Sequence, residues 1–467
     1  MATTQAFKDS MKSSASRDIA ASLHPYTNLK QHETDGPLVI TGGDGVFVHD
    51  ENGKQYLEGL AGLWCTSLGF SEKRLAEAAY RQMLKLPYYH TFASKAHETG
   101  IELAERLVSL APVPMSKVFF VNSGSEANDT VVKLVWYYNN ALGRPQKKKI
   151  LARNKGYHGV TVASASLTGL PNNHRDFDLP IANILHIDCP HWYRFAQAGE
   201  SEEAYSSRLA ESLDKRIQSE GPETVAALIG EPIIGAGGVI LPPATYWEKI
   251  QAVVKKYDML LIADEVICGF GRTGNLWGST TYGMKPDMLT CAKALSSGYL
   301  PIAAIMISAE IYAALVKESE KIGIFAHGFT YSGHPVTSAV ALETLRIYDE
   351  RDIFSHVRKV APRMQAGLQR FADHPLVGEA RGIGLIGAIE LVANKSTKAP
   401  FTPPGGVGAF LAKRCHHHGL ITRAIGEAIA FCPPLIIQEH EIDLMFEKFE
   451  HALDDTYAMV REKGLVA

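Results

Sequence analysis

The chain has 467 residues, of which 46% are hydrophobic and 21% charged, with a formal net charge of -3. This is an ordinary globular mixture, long enough for two or three folding units or for one large domain with a smaller companion. The charge balance argues against a nucleic-acid surface, which needs a basic excess, and no apolar run approaches the ~20 residues of a membrane span.

Residues 1 to about 35 are polar and read as an arm that needs a surface to lie on. The opening MATTQAFKDSMKSSASRD lacks the apolar core of a signal peptide, so a soluble, cytoplasmic protein is expected. Cys65, Cys189, Cys268, Cys291, Cys415 and Cys432 are scattered without a C-x-x-C pair. They read as free thiols in a reducing compartment, not as a zinc ribbon or a redox pair. GDGVFVHDENGKQYLEG (43–59) alternates around ENG and predicts a hairpin. RLAEAAYRQMLKL and HETGIELAERLVSLAP then predict two helices, the second closing at a proline.

From about 117 to 310 short apolar runs alternate with helix-length stretches: KVFFVNS, KILARN, ANILHID, VAALIGEP, MLLIADEV, DMLTCAK and IAAIMIS. The pattern predicts an α/β unit with a largely parallel sheet covered on both faces. Past about 340, TSAVALETLRIYDERDIFSHVRKVAPRMQAGLQRFA predicts helix. GLIGAIELV, GLITRAIGEAIAFCPPLII and a terminal helix from about 438 complete a smaller α+β unit. The expected division is 1–70 for the arm and part of the small domain, 71–340 for the large domain, and 341–467 for the rest of the small domain.

Three features carry chemistry. MLLIADEVICGFGRTG (259–274) ends a buried strand in Asp264 and Glu265 before a glycine-rich loop. Ligands of open α/β sheets sit outside the carboxyl ends of strands, so a carboxylate there faces a metal or a cationic group, or caps the junction. Lys293 stands nearly alone among apolar and small residues in DMLTCAKALSSGYLPIAA. Burial lowers a lysine pKa and suits Schiff-base chemistry; a lysine snorkelling from a helix end is the alternative. NSGSEANDTVVK (122–133) sets small polar residues before a helix, where the N–H groups of Gly124 and Ser125 and the Ser125 hydroxyl can meet an anion. Ser123 to Glu126 also fits a capping box. Together the three suit pyridoxal 5'-phosphate: the lysine holds its aldehyde as an imine, the aspartate keeps its ring nitrogen protonated, and the helix start holds its phosphate.

HPYT (24–27), GLWC (62–65), NSGSEAND, GYHG (156–159), EPIIGAGGV (231–239), ADEVICGFGRTG, CAKALSSGY, HGFTYSGHP (327–335) and LITRAIGEAIAFCPPL (420–435) together resemble the class III aminotransferases, specifically the ω-amino acid/amine:pyruvate group. The resemblance covers almost the whole chain. It implies the PLP-dependent transferase fold type I: a large domain with a mostly parallel, seven-stranded-type sheet flanked by helices, and a smaller α+β domain built from both termini. It implies that Lys293 anchors the cofactor and shuttles the proton, that Asp264 binds the pyridine nitrogen, and that Val266 and the Tyr157 ring sandwich the cofactor. Ser123, Gly124, Ser125 and His158 join the cofactor site, with Glu231 buttressing the Asp264 side. Thr330 reaches the phosphate from a neighbouring subunit, which implies a homodimer with shared sites; a tetramer stays open. Arg423 is the expected carboxylate clamp, with Tyr26, Trp64, Tyr157, Ala236 and Ile267 around the substrate and Phe92 lent by the partner. LPYYHTFASKAHE (86–98) departs from the family pattern at Tyr88 and His90, near the pocket mouth.

The implied reaction moves an amino group from a primary amine or ω-amino acid to pyruvate by a ping-pong route, with the cofactor cycling through pyridoxamine 5'-phosphate. A decarboxylase or aminomutase of the same fold is the nearest rival, and no metal, nucleic acid or membrane partner is expected. GIGLIG (382–387) would suggest a nicotinamide dehydrogenase, but AIELV after it reads as a strand where such a site needs a helix. HHH (416–418) reads as a solvated helix end, because adjacent helical side chains point apart. QKKK (146–149) reads as a solvated charge run.

Overall fold

A computed structural model describes residues 13–465; the first twelve residues of the predicted arm lie outside the described residues. Among the described residues the strands are β1 (Ile40–Asp44), β2 (Phe47–Asp50), β3 (Gln55–Glu58), β4 (Lys117–Val121), β5 (Lys149–Arg153), β6 (Ile184–Ile187), β7 (Val225–Gly230) and β8 (Leu260–Asp264). They continue with β9 (Met288–Cys291), β10 (Ala303–Ile307), β11 (Val377–Ile383), β12 (Ile386–Leu391), β13 (Leu420–Ile421), β14 (Arg423–Ile425) and β15 (Ala428–Phe431).

The seven apolar runs become one seven-stranded sheet in the order β4-β10-β9-β8-β7-β5-β6. All neighbours are parallel except β10, which runs antiparallel to both β4 and β9. Side chains alternate between two apolar clusters, as a period of two requires. Ile150, Ile229, Ile262, Met288 and Ile305 pack toward helix Gly124–Ala141. Leu151, Leu228, Leu261, Leu289 and Met306 pack on the opposite face with Leu209, Trp247 and Val340. The same alternation sends the neighbours Asp264 and Glu265 opposite ways. Glu265 is buried and accepts from Gly278 N, Ser279 N and Ser279 Oγ, which anchors the loop beyond it.

The predicted hairpin is β2–β3, closed by Asp50 Oδ1 accepting from Asn52 N and Lys54 N. β3 also pairs in parallel with β13, so the two ends of the chain share a four-stranded sheet, β1-β2-β3-β13. The third sheet is β11-β12-β15-β14. GIGLIG is the β11–β12 hairpin turn, with Gly384 at φ 57°, which leaves no helix start for a dinucleotide.

One expectation is refined and one corrected. The segment past 335 is two helices, Pro335–Glu350 and Ile353–Gln369, broken where Asp352 takes φ 45°. The lysines of the QKKK run are not a solvated charge run, although Gln146 is exposed. Lys147 is 6% exposed and donates to the carbonyls of Tyr257 and Asp258, just past helix Tyr246–Lys256. Lys148 donates to Trp136 O and Asn140 Oδ1 on helix Gly124–Ala141, and Lys149 to Glu220 O at the end of helix Glu202–Glu220. Lys147 and Lys149 thus serve helix C-terminal ends, where free carbonyls and the dipole both favour a cation, and Lys148 bridges two residues in the C-terminal half of a third helix.

Candidate active site

The carboxyl ends of β4, β5, β7, β8 and β9 and the amino end of antiparallel β10 open onto a cavity of about 640 Å³. Asp264, the last residue of β8, forms its floor and is 2% exposed. Its Oδ2 accepts from His158 Nδ1 at 2.7 Å and Asn128 Nδ2 at 2.8 Å, and its Oδ1 from Val266 N at 3.1 Å. Asn128 Nδ2 also donates to His158 O, so floor and loop are tied together. Asn128 lies one turn into helix Gly124–Ala141 and went unnoticed in the sequence, where it reads as an ordinary first-turn polar residue.

Glu231, just past β7, accepts from Tyr157 N at 3.0 Å and Gly235 N at 2.8 Å. It therefore steadies the loop that carries Tyr157 and makes no hydrogen bond to Asp264. Burial raises its pKa.

Lys293 starts a short 3-10 turn after β9 with φ 50°, a left-handed conformation that persists only where the surroundings enforce it. It is half-buried. Burial holds its ammonium pKa below the ordinary lysine value, against the opposing pull of Cys65, Asp264 and Glu231.

On the anion side, Ser123 caps helix Gly124–Ala141 by accepting from Glu126 N at 3.2 Å. The reciprocal arm goes to Asn122, whose N and Nδ2 donate to Glu126 Oε2. The N–H groups of Gly124 and Ser125 belong to the first turn and have no intrahelical partner. Ser125 Oγ accepts from Val160 N at 3.1 Å, which leaves the hydroxyl proton to donate. A Cβ at Gly124 would sit 3.1 Å from both Val266 methyl groups, so only glycine lets the helix start come this close.

The substrate side is built differently. Trp64 is 2% exposed and lies in a loop with Ala61 at φ 49°, Gly62 at 65° and Trp64 itself at 65°. Glu58 holds this loop by accepting from Leu60 N at 2.9 Å and from Gly62 N. Burial pushes the Glu58 carboxyl up to about 7. Tyr26, at φ 51°, accepts from Asn173 Nδ2 at 2.6 Å, and the Arg423 guanidinium stands 6.0 Å from its ring centre. Ala236 and Ile267 complete the apolar part of the wall. Neither Glu58 nor Asn173 had a sequence signal, because each acts through a backbone or a side chain distant in the chain.

The family model described as aminotransferase class-III matches residues 29–453. The chain is a class III aminotransferase. The aminotransferase is 54% identical to "Gamma aminobutyrate transaminase 3, chloroplastic" of Solanum lycopersicum, over 94% of this chain and 85% of that one. It is 52% identical to "Vanillin aminotransferase" of Capsicum annuum, over 94% and 96%. A solved omega transaminase from Pseudomonas jessenii in complex with PMP superposes with a TM-score of 0.95 at 57% identity, covering 96% of this chain and 99% of that one.

The aminotransferase uses pyridoxal phosphate, and its own residues fit that group. One cavity brings together free first-turn N–H groups for a phosphate, an oriented buried carboxylate for a ring N–H, and an amine of lowered pKa. Asn128 Oδ1 and Trp64 Nε1, both on this cavity, are buried polar atoms without a partner among the described residues.

Fourteen of the predicted site residues line this cavity: Tyr26, Trp64, Ser123, Gly124, Ser125, Tyr157, His158, Glu231, Ala236, Asp264, Val266, Ile267, Lys293 and Arg423. Thr330 and Phe92 do not. Thr330 is exposed, and its carbonyl accepts from Tyr88 Oη at 2.9 Å; Phe92 is 48% exposed and lies against Gly328. Tyr88 and His90 share that separate surface.

Proposed function

We propose that the aminotransferase takes an amino group from a primary amine or ω-amino acid and delivers it to pyruvate by a ping-pong route, releasing a ketone or aldehyde and alanine. The substrate wall carries this reading. Arg423, with no carboxylate paired to it among the described residues, stands over Tyr26 on the same cavity as Trp64 and Ile267. The wall offers a two-pronged clamp for the carboxylate of a small keto acid and aromatic surface for the donor. A relative named for γ-aminobutyrate supports a donor whose amine is remote from its carboxylate, and one named for vanillin supports room for an aryl aldehyde.

Pyridoxal phosphate, when bound, supplies an aldehyde that takes the substrate nitrogen and a ring that absorbs the electron pair of the broken C–H bond. Gly124 and Ser125 would hold its phosphate, with Ser123 kept for capping. Asp264 would hold the ring nitrogen, oriented by His158 and Asn128. Val266 and the Tyr157 ring would flank the ring plane, and Glu231 steadies Tyr157. Lys293 would anchor the aldehyde carbon and move the proton at the substrate carbon; its lowered pKa leaves more of the amine neutral at a given pH. Thr330 and Phe92 would serve the site of a second copy, a reading supported by their exposure away from this chain's own cavity. Six free cysteines support a reducing compartment such as the cytoplasm.

The test is the visible spectrum of the holoenzyme. Addition of 1-phenylethylamine or γ-aminobutyrate should bleach its yellow colour, and pyruvate should restore it with formation of alanine. Recovery with a different keto acid only would remove the pyruvate assignment. Release of carbon dioxide with no keto acid consumed would move the reaction to the decarboxylase class.

A further inference from the structure

We propose that Asp18, His24 and His32 form a binding site for one zinc-class divalent cation, which clamps the segment carrying Tyr26. The three residues lie on helix Ser14–Ala21, on the turn after it, and on helix Leu29–Asp35. Asp18 Oδ2 is 2.7 Å from His24 Nε2 and 3.2 Å from His32 Nε2, and the three donor atoms lie within 4.8 Å of one another. Zinc with bonds of about 2.0–2.2 Å in a tetrahedron sets its donors roughly 3.3 Å apart, close to the separation of His32 Nε2 from Asp18 Oδ2.

The second observation is His32. Its side chain is only 9% exposed, yet Nε2 has no hydrogen-bond partner among the described residues. It faces a carboxylate oxygen that already accepts from His24, and the two rings are 4.2 Å apart at 34°. Two imidazole nitrogens aimed at one carboxylate oxygen, one of them unbonded, are an arrangement that a shared cation satisfies.

Two imidazoles and one carboxylate, with room for a water, suit zinc better than calcium or magnesium, which prefer oxygen shells. The contrasting cluster of His191, Glu379 and Glu390 carries no such proposal, because Arg381 and Arg194 already bond its carboxylates. At the Asp18 site the cation would tie two short helices across residues 22–28, whose Pro25 and Tyr26 line the cavity.

The holoenzyme, treated with chelator and desalted, is dialysed against zinc chloride, and bound metal and melting temperature are measured. The expected result is one zinc per chain, a raised melting temperature, and affinity weakened by at least ~10- to 100-fold in His32→Gln and Asp18→Asn. His417→Gln, at an exposed position ending helix Gly406–His417, should bind as the parent does. No stoichiometric zinc, or equal zinc binding in the parent and in His32→Gln and Asp18→Asn, would overturn the proposal.

Discussion

The floor and the wall of the cavity are built on opposite principles. Asp264, Asn128 and His158 are 2%, 1% and 2% exposed, and each is fixed by hydrogen bonds from strand ends or a long helix. Tyr26 and Leu63 on the wall are 63% and 55% exposed, and Tyr26, Ala61 and Trp64 all take positive φ. The steps common to every donor need atoms held in place, which regular elements supply. Selection among donors needs adjustable surface, which strained loops tied by a few bonds such as Glu58 to Leu60 supply.

Substitutions on the floor should therefore cost turnover, and those on the wall should cost selectivity. The largest effect is expected for Lys293→Ala, with kcat falling at least ~10⁴-fold while the circular dichroism spectrum is kept. Asp264→Asn should lower kcat about 10²- to 10³-fold for every donor alike. Arg423→Ala should lower kcat/KM for pyruvate about 10- to 100-fold, the worth of a charge-assisted pair, and leave the rate with an amine lacking a carboxylate within about twofold. Turnover with donors of both kinds would resolve these last two.

The smallest effect concerns the wall's anchor. The Glu58 carboxyl is raised from 4.5 to about 7 in the folded chain by burial. Its contribution to stability is full below pH 4.5 and is lost as pH rises through 7. Glu58→Gln, which stays neutral, should gain on the parent across that window by on the order of 1–3 kcal/mol, read from melting curves at several pH values. A pH-independent difference would show that Glu58 does not titrate there.

The seven strands of the central sheet were legible because each is a buried run between helix-length segments, and burial on both faces leaves that signature. The pairing of β3 with β13 was not, since it joins the two ends of the chain through a two-residue strand without a pattern of its own. The break at Asp352 was hidden because no glycine or proline marks it, so IYDERDIF reads through as helix. The lysines at 147–149 misled for a different reason: a charge run looks solvated unless the helix ends it caps are known. In the cavity, Asp264 and Lys293 stood out as charged residues in apolar company. Asn128 and Glu58, which orient other groups, have nothing in their neighbours to mark them.

The division between floor and wall is tested most directly by single-turnover bleaching of the holoenzyme with 1-phenylethylamine, comparing Asp264→Asn with Arg423→Ala. The expected result is a loss of about 100-fold or more for the first and a rate within about twofold of the parent for the second. Equal losses in the two variants would contradict it, because the wall would then be part of the machinery that breaks the C–H bond.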